Sequence, residues 1–312
     1  MTDLEALRRT HYDATVVGLR RVHEDLLIVR VLPDGGPVPF TPGQYTTLGL
    51  GEWEPCVDGA LHVGDSAHAA PALIRRAYSF GAAMVDAAGA LLPPQADTAN
   101  EFYVTLVHPE THDRPLLTPR LFDLAEGSRL YVGPKAKGQY TTAGVAPDDT
   151  LIFVATGTGE APHNAMIADR LAAGHRGPIA AVTCVRRRRD LAYLAAHRTL
   201  AAAFPNYRYL WLTTREPENI DPTASGFVGK RYLQQFFAEG CFERQSGIAL
   251  HTDNTHVYLC GNPQMIGDPR RHRPAGDTVS STASGMIQVL ERRGFTLDRP
   301  GVRGSIHVES YW

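Results

Sequence analysis

Leu151-Ile-Phe-Val-Ala155 runs directly into Thr156-Gly-Thr-Gly-Glu-Ala-Pro162. Five apolar residues without alternation suit a strand covered on both faces. The glycines let backbone come close to a ligand, and a helix opening at Pro162 presents unpaired N–H groups and the positive end of its dipole. The physical reading is a pyrophosphate site at the carboxyl end of a parallel strand. The spacing is neither the G-x-G-x-x-G fingerprint nor a Walker A loop. Read alone, an ordinary glycine-rich turn has the same look, so the flanking sequence has to decide.

Downstream, strand and helix patterns alternate. Helical spacing over Pro162–Ala173 is followed by a strand at Ile179–Val185, a helix at Leu191–Phe204 and a strand at Tyr207–Thr213. A helix at Lys230–Glu239, a strand at His256–Cys260 and a helix at Ser284–Gly294 complete the series. This alternation predicts a doubly wound parallel sheet. Cations cluster at its strand ends: Arg186-Arg187-Arg188-Arg189 after one strand, Arg215 after the next, Lys230 and Arg231 at the next helix. Three basic sites at successive strand ends can surround one anion, and an adenosine 2′-phosphate is the natural candidate, favouring NADP over NAD. For two or more of the four consecutive arginines, a solvated charge run describes the sequence as well. Cys260-Gly261-Asn262-Pro263-Gln264-Met265 marks a further strand end, and no neighbouring base or helix start makes Cys260 a good nucleophile. The chain ends in Ile306-His-Val-Glu309-Ser-Tyr311-Trp312, where two aromatics follow a strand-like alternation. They either pack as a last strand or cover an aromatic ligand.

Upstream, the texture is different. Short branched-rich runs at Ala14–Leu19, Asp25–Leu32, Gln44–Leu48, Arg76–Phe80, Glu101–His108 and Arg129–Val132 predict a barrel or sandwich. Residues 49–74 lack clear periodicity and read as an insertion, and Ala82–Ala99 is a second excursion. Within the strand at Arg76-Ala77-Tyr78-Ser79, Arg76 can pair with a diphosphate, Tyr78 can offer a flat ring, and Ser79 can donate or accept at a heterocycle. The seam falls near residue 146, giving domains 1–146 and 147–312.

Composition narrows the function classes. The 312 residues are 43% hydrophobic and 21% charged, enough for packed cores in two domains. The net charge of -2 argues against a protein that lives by neutralising nucleic-acid phosphates. Cys56, Cys184, Cys241 and Cys260 form no C-x-x-C pair, so no zinc ribbon, iron–sulfur cluster or other metal site is expected. No apolar run is long enough to span a membrane, and the start, MTDLEALRRT, has no signal-like apolar stretch. A cytoplasmic protein is expected.

Taken together and in order, R-x-Y-S at 76–79, G-T-G-x-A-P at 157–162, C-G-N-P-Q-M at 260–265 and V-E-x-Y-W at 308–312 resemble the ferredoxin–NADP reductase family, bacterial type. The resemblance covers roughly residues 12–312. It implies an antiparallel FAD-binding β-barrel followed by an NADP-binding α/β domain. By that resemblance, Arg76 holds the FAD diphosphate and Tyr78 stacks on the flavin. Ser79 lies near its reactive N5, and Leu117-Thr118 approach the FAD phosphates. Gly157, Thr158, Gly159 and Gly261 border the NADP diphosphate, while Arg186, Arg215 and Lys230 contact the 2′-phosphate. Cys260 and Glu309 border the nicotinamide, Tyr311 covers the other flavin face, and Trp312 lies over the adenine. Glu160, His163 and Asn164 depart from the apolar residues more usual there.

The implied activity is FAD-dependent electron transfer between NADP(H) and ferredoxin or flavodoxin, by hydride exchange between nicotinamide C4 and flavin N5. Ser79, Cys260, Glu309 and Tyr311 would serve the reacting centre. Arg114, Arg120, Lys135 and Lys137 are candidates for a basic carrier-docking face. The rivals are an NADPH-dependent reductase component of an oxygenase, a flavin-binding redox sensor, and an anion-binding α/β module without flavin.

Overall fold

The computed structural model describes residues 3–57, 72–106, 117–267, 285–299 and 301–310. Internal contacts divide the chain into two units, Met1–Ala82 with Pro93–Thr141, and Ala83–Leu92 with Thr142–Trp312.

The first unit opens with helix α1 (Asp3–His11) and is built on six strands: β1 (Ala14–His23), β2 (Leu26–Pro33), β3 (Tyr45–Gly51), β4 (Leu73–Ser79), β5 (Asn100–Thr105) and β6 (Arg129–Val132). They form one sheet in the order β4-β3-β6-β1-β2-β5, and every pairing is antiparallel. Alternate side chains such as Leu27, Val29 and Val31, or Leu48 and Leu50, point into a core shared with Phe80, Phe102, Leu121 and Phe122. The short helix α2 (Thr118–Leu121) lies against that core through Leu121.

Strand pairing corrects the expected insertion. β3 continues to Gly51 and β4 starts at Leu73, with Gly49 opposite Arg75 and Gly51 opposite Leu73. The excursion therefore joins Glu52 to Ala72, and its residues 58–71 lie outside the described residues. Its first turn is docked rather than loose. Glu54 accepts from Arg8 Nε (2.8 Å) and from the Tyr12 hydroxyl (2.8 Å), and Trp53 packs against the core.

In the second unit β7 (Thr150–Thr156) is followed by α3 (Glu160–Ala172), β8 (Ile179–Val185), α4 (Leu194–Ala203) and β9 (Tyr207–Thr213). Short helices α5 (Pro217–Ile220), α6 (Leu233–Ala238) and α7 (Cys241–Ser246) lead to β10 (Thr255–Gly261). Helices α8 (Pro263–Ile266) and α9 (Met286–Glu291) precede β11 (Ile306–Ser310). The five strands form a wholly parallel sheet in the order β11-β10-β7-β8-β9. The chain leaves β7 toward β8 and β9, then returns to its other side for β10, so the order reverses at β7. That reversal is where open α/β sheets bind ligands.

Helices α4 and α6 start later than their patterns. At the expected Lys230–Glu239 helix, Tyr232 is extended (φ -97°, ψ 161°) and α6 begins only at Leu233. Lys230 and Arg231 thus precede the helix instead of opening it. Likewise Leu191 does not begin α4. Residues Arg188–Asp190 form a tight turn, closed by the Asp190 carboxylate accepting the Arg187 N–H at 2.8 Å.

At its amino end β11 is anchored by a chain of side chains. His256 Nδ1 lies 3.0 Å from His307 Nε2, His307 Nδ1 lies 2.5 Å from Asp298, and the Tyr258 ring stacks on His307 with centroids 4.4 Å apart.

Candidate functional site

The glycine-rich segment forms a tight turn, Gly157–Gly159, between β7 and α3. Its geometry explains its composition. A Cβ on Gly159 would lie 2.3 Å from the Cys260 carbonyl oxygen, so the turn rests directly on the end of β10. Gly261 has φ +129°, and a Cβ there would lie 2.2 Å from Thr156 Oγ1. Thr156 Oγ1 in turn accepts the Asn262 N–H at 2.8 Å. The carboxyl ends of β7 and β10 are thereby locked together. No side chain caps the amino end of α3; the Glu160 N–H donates back to the Gly157 carbonyl within the turn.

Parallel register places Cys260 beside Glu309 and Gly261 beside Ser310. Cys260 is wholly buried, and Glu309 is half-buried, its carboxyl pKa raised by loss of water. Tyr311 and Trp312 lie outside the described residues.

At the ends of β8 and β9 the arginines separate into two kinds. The backbone N–H of Arg215 donates to the Arg186 carbonyl (2.8 Å), so these two exposed residues are side by side. Arg188 is engaged elsewhere: its guanidinium lies 3.7 Å from Glu218 and 5.0 Å from the Trp211 ring centroid. Lys230 is exposed and follows Gly229, whose N–H donates to the Glu218 carbonyl at 3.1 Å. Arg186 and Arg215 thus lie together and exposed where β8 and β9 end, and Lys230 is exposed further along the chain.

Sequence reasoning missed a buried polar cluster directly behind the turn. Glu160, the first residue of α3, is only 2% exposed. Its Oε1 accepts from Tyr209 Oη (2.9 Å), His197 Nε2 (3.0 Å) and Thr183 Oγ1 (3.1 Å). His197 Nδ1 meets the Tyr207 hydroxyl at 2.7 Å. The polar residues at 160, 163 and 164 were the available signal, because three of them open one helix. His163 is enclosed beside Phe153, and burial pushes its pKa down to about 3. Asn164 is also fully buried.

In the first unit Arg76, Tyr78 and Ser79 lie on β4, opposite Leu48, Thr46 and Tyr45 of β3. Arg76 and Tyr78 share a face at a two-residue spacing. The Arg76 side chain is exposed, its guanidinium donating to the Arg75 carbonyl (2.8 Å). Ser79 is buried, yet its hydroxyl has no hydrogen-bond partner. Burial also raises the Tyr78 phenol, which stays protonated. Leu117 is buried in the core, so only its backbone can face a ligand, and Thr118 begins α2. Of the proposed docking cations, Arg120 is 2% exposed and donates to the Glu52 carbonyl (3.0 Å), which removes it from any docking face. Lys135 and Lys137 are exposed, and Arg114 lies outside the described residues.

Residues 153–271 match the family model of the oxidoreductase NAD-binding domain. Across 232 residues the chain is 29% identical to the flavodoxin/ferredoxin–NADP reductase of Escherichia coli, covering 74% of this chain and 77% of that one. The Buchnera aphidicola (subsp. Baizongia pistaciae) protein of the same name is 25% identical over 97% of this chain and 99% of its own. In sequence the chain is thus similar to bacterial flavodoxin/ferredoxin–NADP reductases along most of its length. A ferredoxin–NADP reductase from Neisseria gonorrhoeae, solved with bound FAD and NADP, shares its fold with a TM-score of 0.66 at 16% identity, over 96% of this chain and 98% of that one. The two sheets of this chain, antiparallel then parallel, are the architecture its sequence predicts. Among the described residues no helix is long and apolar enough to cross a membrane.

Proposed function

We propose that this chain is an FAD-dependent oxidoreductase that passes electrons between NADP(H) and a one-electron carrier, ferredoxin or flavodoxin. The observation that carries this reading is the turn seated on β10. Gly157–Gly159 packs against Cys260–Gly261, at the point where strand order reverses, with Glu309 beside Cys260. Glycine backbone suits a diphosphate there. The exposed pair Arg186 and Arg215, with Lys230 beyond, suits a 2′-phosphate.

The first unit fits FAD. The Ser79 hydroxyl is buried and lacks a partner, as a group reserved for a heterocycle would be. On the same strand Arg76 is open to a diphosphate and Tyr78 offers a ring. The chemistry a bound FAD would supply is acceptance of a hydride from nicotinamide and release of electrons one at a time. The chain's part is to hold and orient. Arg76 with Leu117 and Thr118 would hold the FAD phosphates. In the first unit Tyr78 would cover a flavin ring and Ser79 would line its reacting edge; in the second unit Cys260 and Glu309 would border the nicotinamide. The domain assignment follows, with FAD in 1–146 and NADP in 147–312.

Anaerobic titration of the yellow protein with NADPH and with NADH, followed by oxidised ferredoxin or flavodoxin, tests the whole proposal. Flavin bleaching by NADPH at far lower concentration than NADH, then re-oxidation by the carrier, is expected. Bleaching without re-oxidation by either carrier would favour an oxygenase partner, and a colourless protein would overturn the flavin assignment.

A further inference from the structure

β11 is an edge strand of five residues, and beyond the bridge from Ile306 to Leu297 it pairs only with β10 among the described residues. We propose that His307 is a positioning residue: held by Asp298 and His256, it fixes the register of β11 on β10 and so keeps the Glu309 carboxyl beside Cys260. The proposal rests on the assignment of Cys260 and Glu309 to the border of the nicotinamide.

The apolar side chains of β11 choose its face but not its register. Ile306 and Val308 turn to the apolar core of the second unit, and His307 and Glu309 take the opposite face. A slip of one residue would carry Ile306 out of that core, and the pattern forbids it. A slip of two residues is different. One apolar residue replaces another, the polar face stays polar, and Glu309 leaves Cys260. The hydrogen-bond ladder of a parallel pair repeats every two residues, so it resists such a slip only at its ends.

The contacts of His307 supply the missing choice. On one side its Nδ1 lies 2.5 Å from the Asp298 carboxylate, which also accepts the Gly304 N–H at 2.6 Å. The Asp298 N–H donates to the Ile306 carbonyl at 2.9 Å, so this carboxylate is fixed at the start of β11. On the other side His307 meets β10: its Nε2 lies 3.0 Å from His256 Nδ1, and its ring stacks on Tyr258 with centroids 4.4 Å apart. Slipped by two residues, β11 would bring Ser305 or Glu309 to this place. Neither side chain can stack on Tyr258 and bridge His256 to Asp298.

The protons match this arrangement. Burial lowers both imidazoles from the ordinary histidine value, so near neutral pH each ring holds one N–H. His307 Nδ1–H donates to Asp298, and its Nε2 is left to accept from His256 Nδ1–H. Both hydrogen bonds are made with the two protons the rings hold. The Asp149 carboxylate stands farther off, 3.4 Å from His256 Nε2.

The test is a double-variant cycle on the FAD-loaded protein, read by stopped-flow bleaching of the flavin at saturating NADPH. His307→Leu removes both hydrogen bonds and keeps apolar bulk. It should bleach about tenfold slower or more, since a displacement of about 1 Å at a reacting centre can cost on the order of a hundredfold. Its Kd for 2′-phospho-AMP, which carries no nicotinamide, should stay within roughly twofold of the natural value, because Arg186 and Arg215 are untouched. His307→Asn, whose amide can still donate to Asp298, should recover part of the rate. Glu309→Gln alone should also be slow, and adding His307→Leu to it should cost nothing more, because a residue that acts through Glu309 has no effect once that carboxyl is gone. A natural rate in His307→Leu, or losses that multiply in the double variant, overturns the inference. If His307→Leu yields no flavin-loaded protein, His256→Leu and Asp298→Asn carry the same expectation, and natural rates in both overturn it. A natural rate in Glu309→Gln alone would overturn the placing of Glu309 at the nicotinamide and the inference with it, a result distinct from a slow Glu309→Gln beside a natural His307→Leu.

Discussion

Arginines that look alike in sequence are divided by their neighbours. Arg188 is held between Glu218 and Trp211, whereas Arg186 and Arg215 are adjacent through a backbone hydrogen bond and open to solvent. Arg186→Ala with Arg215→Ala should raise the KM for NADPH at least about tenfold, since charge-assisted contacts to a phosphate contribute on the order of 1.5–3 kcal/mol. The KM for NADH should scarcely move, and neither should Arg188→Ala change the ratio of the two. Equal losses for both dinucleotides in the double variant would refute the 2′-phosphate assignment. His163 gives a second prediction at this scale. Its pKa is about 3 in the fold, against 6.5 for an exposed imidazole, because burial opposes its charge. The unfolded chain therefore binds a proton that the folded chain refuses, and stability falls as pH drops below about 6.5. At pH 5 the loss from this group is about 2 kcal/mol. Denaturant unfolding of His163→Phe should show a correspondingly smaller fall between pH 7.5 and pH 5; an unchanged pH dependence would contradict it. At residues 160–164 the sequence showed polar residues where apolar ones are usual, but not their burial. An acid in the first turn of a helix reads as a partner for the helix dipole. The burial of Glu160 depends on Thr183, His197 and Tyr209, which are 23, 37 and 49 residues away.

Elements were more legible than single side chains, for reasons of periodicity. β8 and β9 coincide with their patterns, because apolar runs between turn residues have few other uses. The short helices were less so. α6 has only six residues, and its start is set by the extended Tyr232, whose N–H donates to Gln235 Oε1 at 3.1 Å. The long 49–74 stretch concealed the ends of β3 and β4, since Gly49, Gly51 and Arg75 carry no strand signal and are recruited by pairing. The turn after β7 was legible as a motif but not as a contact. Gly159→Ala forces a methyl against the Cys260 carbonyl, and such overpacking costs about 1–3 kcal/mol. Its denaturant midpoint should drop, and its affinity for 2′-phospho-AMP should fall because the turn must move off β10. A variant with natural stability and affinity would show that the turn is not seated there.

A net charge of -2 over the whole molecule is compatible with binding anions because charge is distributed unevenly. One concentration, Arg186 with Arg215, belongs to the parallel sheet. Another belongs to the first unit. Lys137 pairs through its backbone with Tyr45, the residue opposite Ser79, and Lys135 is two positions away. Both lysines are exposed at the end of β3 where Ser79 closes β4. An acidic carrier that must reach the flavin edge would meet them, and attraction between exposed charges acts chiefly on the rate of encounter. Lys135→Glu with Lys137→Glu should slow carrier reduction at low salt by roughly tenfold. The deficit should shrink at 0.5 M salt, where screening is within a few ångströms. Bleaching of the flavin by NADPH in the absence of carrier should proceed at the natural rate, because these lysines carry no part of the dinucleotide site. Stopped-flow traces with and without ferredoxin separate the two steps. A double variant that reduces ferredoxin at the natural rate at low salt would move the docking face away from this edge, and one that also slows NADPH bleaching would mean the substitutions disturb the flavin site itself.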